Sequence, residues 1–176
     1  MFRCPNCRNE VYEHNTWCDV CGQSLEEYVR YYKCAQRGDA YSQYALGVLY
    51  RNGIYVDFDY EKSFYWTKKA AEAGITDAQG ALGGMYLEGN GTSKDLTKAF
   101  YWTEKAAKAG NTHAKHELGC YYLNGEGTSQ NAIRAIYWFL EARKEGDTDA
   151  ANVLRQLGIA DGHYLNEDSP LHIQKL

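Results

Sequence analysis

Small and hydrophobic residues recur along this chain with a period of 36 residues. The pair Leu46-Gly47 aligns with Leu82-Gly83 and with Leu118-Gly119, and no insertion is needed. The same shift superposes tyrosines, glycines, tryptophans and alanines: Tyr50, Tyr86 and Tyr122; Gly53, Gly89 and Gly125; Trp66, Trp102 and Trp138; Ala70, Ala106 and Ala142; Gly74, Gly110 and Gly146. An internal period of this length is typical of a repeat protein built from stacked supersecondary units.

Each repeat is predicted to be a helical hairpin. In the second repeat, Ala78, Leu82 and Met85 are spaced by four and three residues, which predicts a helix over 76–87 that ends at the following glycines. A second apolar stripe predicts a helix over 94–108, and Gly110 follows it as a left-handed cap.

One hairpin has too little core to fold alone, so the repeats are expected to stack into an all-α solenoid. Three glycines, at positions 47, 83 and 119, should let neighbouring helices approach closely. We expect stacking to bury an aromatic stripe made of Tyr65-Trp66, Tyr101-Trp102 and Tyr137-Trp138. A lone second helix over 25–37 and a lone first helix over 148–157 should cover the two ends.

The repeated residues resemble the Sel1-like repeat, a relative of the tetratricopeptide repeat. The second repeat carries nearly the whole pattern: Ala81, Leu82, Gly83, Tyr86, Gly89, Gly91, Ala99, Trp102, Ala106, Ala107 and Gly110. The first repeat departs from this pattern, with Tyr55 where Gly91 and Gly127 stand and Ser63 in place of a helix alanine. The resemblance implies a right-handed superhelical solenoid of α/α hairpins and a role as an adaptor rather than an enzyme.

Two C-x-x-C pairs near the N-terminus predict a metal site. Cys4 and Cys7 are followed, after ten residues, by Cys18 and Cys21. Four thiolates at this spacing suit tetrahedral zinc and leave no open position for a catalytic water. Two alternatives are a pair of disulfides and a redox dithiol. The segment resembles short bacterial zinc ribbons, and the prediction is one structural zinc ion per chain.

Composition, charge and the lack of certain motifs argue against several classes of function. The chain has 176 residues, a mean hydropathy of -0.61 and no long apolar run, so no membrane-spanning helix is predicted. The net charge of -4 argues against a nucleic-acid partner. The N-terminus lacks a signal-peptide pattern, so we expect a cytoplasmic protein. No catalytic motif is present, which favours a protein that is not an enzyme.

Candidate partner-binding residues are the first-helix positions that vary between repeats. In the related tetratricopeptide geometry these positions line the concave groove. They are Tyr41, Tyr44, Val48, Arg51, Asp77, Gly80, Gly84, Leu87, His113, His116, Cys120, Asp149 and Asn152. His113, His116 and Cys120 share one helix face, so three metal ligands are an alternative interpretation there. Tyr44 as an aromatic anchor and Arg51 as a carboxylate-binding fork are the preferred hot spots.

The sequence thus favours a non-enzymatic interaction protein that holds a protein or peptide in the groove, with recognition independent of the zinc. The alternatives are an inhibitor or immunity-type protein that neutralises one toxin or enzyme, and a small-ligand-binding or hydrolytic protein that uses the His113 face. The oligomeric state stays open. The predicted segments are a zinc ribbon (1–24), a capping helix (25–38), three repeats (39–74, 75–110 and 111–146), a second capping helix (147–158) and a tail (159–176).

Overall fold

The structure, a computed structural model, describes residues 2–4, 7, 9–12, 15–160 and 163–164. Most of the predicted tail, from 165 onward, lies outside the described residues. The helices are α1 (Glu26–Gln36), α2 (Ala40–Asn52), α3 (Tyr60–Glu72), α4 (Thr76–Glu88), α5 (Leu96–Lys108), α6 (Thr112–Asn124), α7 (Ala132–Lys144) and α8 (Thr148–Gln156). The strands are β1 (Phe2–Arg3), β2 (Glu10–Val11), β3 (Ile159–Ala160) and β4 (His163–Tyr164).

The helices confirm the all-α repeat fold. They are distributed over two compact units that divide between Lys94 and Asp95. In the first unit each helix from α1 to α4 packs on the next, and in the second unit α5 to α8 do the same. The β structure of the described residues consists of two antiparallel pairs, β1 with β2 and β3 with β4, and one isolated bridge between Trp17 and Ser24. None of the described helices has both the length and the apolar character needed to cross a bilayer.

Acidic and amide side chains set most of the helix starts. The N-cap of α5 is Asp95, whose carboxylate accepts a hydrogen bond of 3.0 Å from the backbone N–H of Lys98. Asp39, Asp59, Asn111, Asn131 and Asp147 cap α2, α3, α6, α7 and α8 in the same way. The second helix of the middle repeat therefore begins at Leu96, two residues later than the apolar stripe predicts, because the aspartate satisfies the first free N–H groups.

The predicted aromatic stripe is only partly buried, and this prediction is wrong for its tyrosines. Tyr65, Tyr101 and Tyr137 are 49%, 54% and 54% exposed, and each stands edge-on to the tryptophan that follows it. Trp66 is buried, whereas Trp102 and Trp138 are half-buried. Successive residues on an α-helix point about 100° apart, and in these three helices the packed side includes the tryptophan and leaves the tyrosine exposed.

The residues that fill the helix seams are smaller or lie elsewhere. Ala99 and Thr103 on α5 and Phe139 on α7 are completely buried. A Cβ added to Gly119 would lie 2.7 Å from the ring of Phe139, and one added to Gly47 would overlap the hydroxyl of Thr67. Glycine at these two positions therefore allows the close helix approach that the sequence predicts.

Gly91→Ala is expected to destabilise the protein more than Gly74→Ala. Both glycines have a positive φ, +71° and +98°, so alanine costs roughly 1–2 kcal/mol of backbone strain at either position. Only at Gly91 would the new Cβ also overlap the carbonyl group of Tyr60, which adds about 1–3 kcal/mol of overpacking. Urea unfolding of the two variants measures the difference, and equal midpoints would contradict the close contact.

Candidate functional site

The four N-terminal cysteines come together into one sulfur cluster. Cys4 Sγ lies 3.5 Å from Cys21 Sγ, and Cys7 Sγ lies 3.4 Å from Cys18 Sγ. All four sulfur atoms lie within 4.8 Å of one another. A disulfide would bring two sulfurs to about 2.05 Å, so these cysteines are thiols. A tetrahedral ion with Zn–S bonds of about 2.3 Å needs sulfurs about 3.8 Å apart, which the cluster approaches.

Two equivalent loops hold the sulfurs in place. The first loop is closed by the N–H of Cys4, which donates 2.8 Å to the carbonyl of Asn9. The second is closed by the N–H of Cys18, which donates 2.9 Å to the carbonyl of Gln23. Gly22 has a φ of +72°, so the second loop turns through a conformation that glycine adopts without strain. In both pairs the N–H of the first cysteine thus bonds the carbonyl of the residue five positions later.

The chemistry of the donor set suits a metal ion. The side-chain amide of Asn9 donates 3.3 Å to Cys7 Sγ and, with the Asn9 backbone N–H, lowers the pKa of Cys7 to about 6. This favours the thiolate, which is the form that binds metal. Cys4 and Cys18 are buried. Across the described part of the chain, this is the one group of three or more cysteine, histidine or acidic side chains that could hold a metal ion.

In the first unit, the predicted first-helix residues border a shallow pocket. Tyr44, Val48 and Arg51 from α2 line it together with Ala81 and Met85 from α4. Gly47 from α2 and Ser63 and Thr67 from α3 form the rest of its wall. Its volume of about 10 Å³ has room for about one water molecule, and its lining combines apolar side chains with one cation and one aromatic ring.

Tyr44 and Arg51 lie close enough to share an electrostatic environment. Burial raises the pKa of Tyr44, the carboxylate of Asp77 raises it further, and the guanidinium of Arg51 acts in the opposite direction. Tyr44 is half-buried, whereas Arg51 and Asp77 are exposed. The Tyr44 ring thus has charged neighbours of both signs.

The remaining predicted residues of this face differ in access. Tyr41 is 75% exposed, which makes it the most exposed large aromatic side chain of the described residues. A Cβ added to Gly84 would meet nothing within 4 Å, so the backbone is bare there, as predicted. Gly80 and Leu87 are half-buried.

In the second unit, the histidines of α6 are held by carboxylates. His113 lies 3.3 Å from the carboxylate of Glu117 and is exposed. His116 Nδ1 lies 3.3 Å from Asp147 Oδ1, and its ring packs edge-on against Phe139 at 5.5 Å. Asp149 and Asn152 on α8 are exposed.

The histidine face does not form the three-ligand metal site of the alternative interpretation within the part of the chain that the structure describes. Among the described residues, His113, His116 and Cys120 do not converge into a metal-ligand cluster. Burial raises the pKa of Cys120, and the charges of Glu117, Glu126 and Asp147 raise it further. Cys120 is therefore a protonated thiol at neutral pH and not an activated nucleophile.

Sequence reasoning missed an ion pair in the second unit between a buried lysine and an exposed glutamate. Lys115 is buried and donates to Glu145, which also accepts 2.6 Å from the hydroxyl of Thr112. The matching positions of the first unit are Gln43 and Gln79, whose amides donate to helix carbonyls. The available signal was a charged residue at a position where the other two repeats have glutamine.

Sequence reasoning also missed the contact between the cysteine segment and the first repeat. Tyr55 packs against the cluster of Cys4, Val11, Cys18 and Leu25. The sequence signal for this contact was Tyr55 itself, which stands where the other two repeats have glycine.

Comparisons with known proteins give matches to one family. The Sel1 repeat family model matches residues 40–75, 76–111 and 112–147. A Sel1 repeat protein from Oxalobacter formigenes has a solved structure that is 34% identical, with a TM-score of 0.70 over 75% of this chain and 99% of that one. No curated protein matches the sequence.

Two further solved structures have the same fold. A protective antigen of uropathogenic Escherichia coli, described as an SLR fold, is 29% identical, with a TM-score of 0.74 over 83% of this chain and 32% of that chain. Helicobacter pylori cysteine rich protein B is 25% identical, with a TM-score of 0.58 over 73% of this chain and 92% of that chain.

Proposed function

The chain belongs to the Sel1 repeat family, whose members generally mediate protein–protein interactions and are typically not enzymes, and on this premise we propose that it binds a protein or peptide partner on its first-helix faces. The main contact is the face of the first unit that carries Tyr44 and Arg51. The observation that supports this proposal is the pocket these two residues line with Val48, Ala81 and Met85.

The composition of this face defines the partner chemistry. Tyrosine and arginine are enriched among interface hot spots, because each supplies a large contact area and a polar group at its end. Arg51 offers a planar fork for a partner carboxylate or carbonyl. Val48 and Met85 supply apolar surface beside it. Tyr41 adds an exposed ring beside them.

We propose a separate surface in the second unit, made of the residues that the sequence predicts there. These are His113, His116, Cys120, Asp149 and Asn152. The exposed carboxylates of Asp77 in the first unit and Asp149 in the second favour a basic partner segment. The attraction of such a segment should increase as the salt concentration falls.

Tyr44→Ala combined with Arg51→Ala should weaken partner binding by roughly 2 kcal/mol or more, because truncating a hot-spot side chain typically costs that amount. The measurement is affinity capture from the native host with the full chain as bait, followed by titration of each identified partner. Circular dichroism first establishes that the variant keeps its helices.

The matched control is Tyr65→Ala combined with Lys69→Ala. These residues present an exposed ring and a cation 4.7 Å apart on α3, outside the pocket. The control should bind at full strength. Full binding by a folded Tyr44 and Arg51 variant would refute the assignment of this face. A single partner held at nanomolar affinity would indicate an inhibitor, and several partners an adaptor.

We further propose that the four cysteines hold one structural zinc ion in a cytoplasmic protein. A set of four sulfurs fills the coordination sphere of zinc, which supplies folding free energy rather than catalysis. Six cysteines, none of them in a disulfide within the described residues, are typical of a reducing compartment.

A further inference from the structure

We propose that Tyr55 couples metal binding by the four cysteines to the packing of α1 and α2. Binding of metal by the N-terminal ribbon would then control how well ordered α1 is, and with it α2, the helix that carries Tyr44 and Arg51. The inference rests on the metal site and partner surface proposed above. It replaces the sequence-based expectation that the two act independently.

The backbone at Tyr55 has an unusual conformation. Its φ is +63°, and within the described residues no other residue except glycine has a positive φ. The matching positions of the next two repeats are Gly91 and Gly127, with φ of +71° and +65°. A bulky residue that keeps this conformation needs compensating contacts, and such strain persists only where the surroundings impose it.

The space for a side chain at Tyr55 exists because the ribbon precedes the first repeat. At Gly91 and Gly127 an added Cβ would overlap the backbone carbonyl groups of Tyr60 and Leu96, which begin the second helix of the preceding repeat. The residue at the matching position before Tyr55 is Ser24, which pairs with Trp17 in the ribbon and lies just before α1 begins. The tyrosine side chain therefore fills a place that a helix occupies in the other repeats.

Tyr55 contacts two cores at once. It packs against the ribbon core of Cys4, Val11, Cys18 and Leu25, and against the core of the first repeat. Its hydroxyl donates 3.1 Å to the carboxylate of Glu27 on α1. The tyrosine thus joins the ribbon to α1 and to the segment between α2 and α3.

The start of α1 belongs to the ribbon as well. Leu25, at the N-cap of α1, is completely buried in the ribbon core, and its N–H donates 2.6 Å to the carbonyl of Thr16. Three residues later, Tyr28 is buried and shares a hydrogen bond of 3.0 Å with the hydroxyl of Tyr50 on α2. Arg51 follows Tyr50 directly. The cysteines are therefore linked to the Tyr44 and Arg51 face through α1, the hydrogen bond between Tyr28 and Tyr50, and α2.

The ribbon core is too small to fold without metal. Among the described residues, its buried hydrophobic side chains besides the cysteines are Val11 and Leu25. Release of the metal should unfold the ribbon, which removes one of the two supports of Tyr55 and the packing around Leu25. If metal binding stabilises the Tyr55 contacts by some factor, these contacts strengthen metal binding by the same factor, because linkage is reciprocal. Removing the contacts should therefore weaken metal binding.

The test compares the zinc affinity of the full-length wild type and of Tyr55→Gly by competition with a chromophoric chelator. We expect Tyr55→Gly to bind zinc about tenfold more weakly than the wild type. Removing a contact that supports a metal site typically weakens metal binding by about 10–100-fold, and the expected loss is at the lower end of this range. The control is Phe58→Gly, which removes a 57% exposed aromatic ring from the same interhelical segment and should keep the affinity within about twofold.

A second measurement needs no variant. Hydrogen exchange of the wild type should become faster in α1 and α2 when zinc is removed by a chelator, while exchange in α6 stays the same. Equal zinc affinity of wild type and Tyr55→Gly, or exchange in α1 and α2 that does not depend on zinc, would overturn the coupling alone. A wild type that takes up no zinc would overturn the metal site and the coupling together. The Tyr44 and Arg51 variant tests the partner surface separately.

Discussion

Cys4→Ser combined with Cys18→Ser should abolish stoichiometric zinc binding, whereas the wild type should carry one zinc ion per chain. The two substitutions remove a sulfur from each loop, and both residues are buried at the centre of the cluster. Structural zinc in small domains contributes on the order of 10–16 kcal/mol of apparent binding free energy at neutral pH, so this is the largest effect we expect. Elemental analysis after dialysis measures it.

The matched control for the cysteine variant is Cys34→Ser combined with Cys120→Ser. These two cysteines lie in α1 and α6, outside the sulfur cluster. The control should keep one equivalent of zinc. Zinc retained by the Cys4 and Cys18 variant, or absent from the wild type, would contradict the assignment.

Loss of zinc should disorder residues 1–24 and leave most of the helical signal intact. Of the helices, only α1 begins within the ribbon core, through Leu25. The far-ultraviolet circular dichroism of the metal-free protein should therefore remain helical, while exchange becomes faster in α1 and α2. A complete loss of helical signal would show that the ribbon is needed for the whole fold.

Phe139→Ala should destabilise the protein by about 3–5 kcal/mol, the range for truncating a large buried aromatic side chain. Phe139 is completely buried in the second unit, beside Gly119 and below the ring of His116. The glycine leaves no side chain that could move into the cavity. From the sequence alone, Trp102 is the expected centre of the aromatic stripe, but Trp102 is only half-buried.

Tyr137→Ala is the matched control, since this aromatic residue lies on the same helix as Phe139 and is 54% exposed. It should cost about 0.5 kcal/mol or less, as surface substitutions usually do. Thermal and urea unfolding of both variants measure the difference. Equal losses would show that the ring of Phe139 does not fill the core as the structure indicates.

The sequence by itself determined the elements of local order. The repeat period, the approximate extent of the helices and the cysteine pairs depend on residues close together in the chain, so a spacing of three or four residues is enough to reveal them. The boundaries were predicted to within two residues even where an aspartate cap moved them, as at Leu96. The four cysteines were likewise identified by spacing, and the fold brings their sulfurs together.

Only the tertiary structure decided which side chains of each helix face the core and which distant groups meet. The adjacent residues Tyr101 and Trp102 have the same hydrophobic pattern in sequence, yet helix packing exposes the first and half-buries the second. His116 and Asp147 are 31 residues apart and meet through packing of the second unit. In the sequence, Tyr55 is a departure from the glycine of the other repeats. In the structure it contacts both the ribbon core and the core of the first repeat, because the ribbon and not a complete repeat precedes it. Such contacts depend on the close packing of elements distant in sequence, which a periodic pattern does not encode.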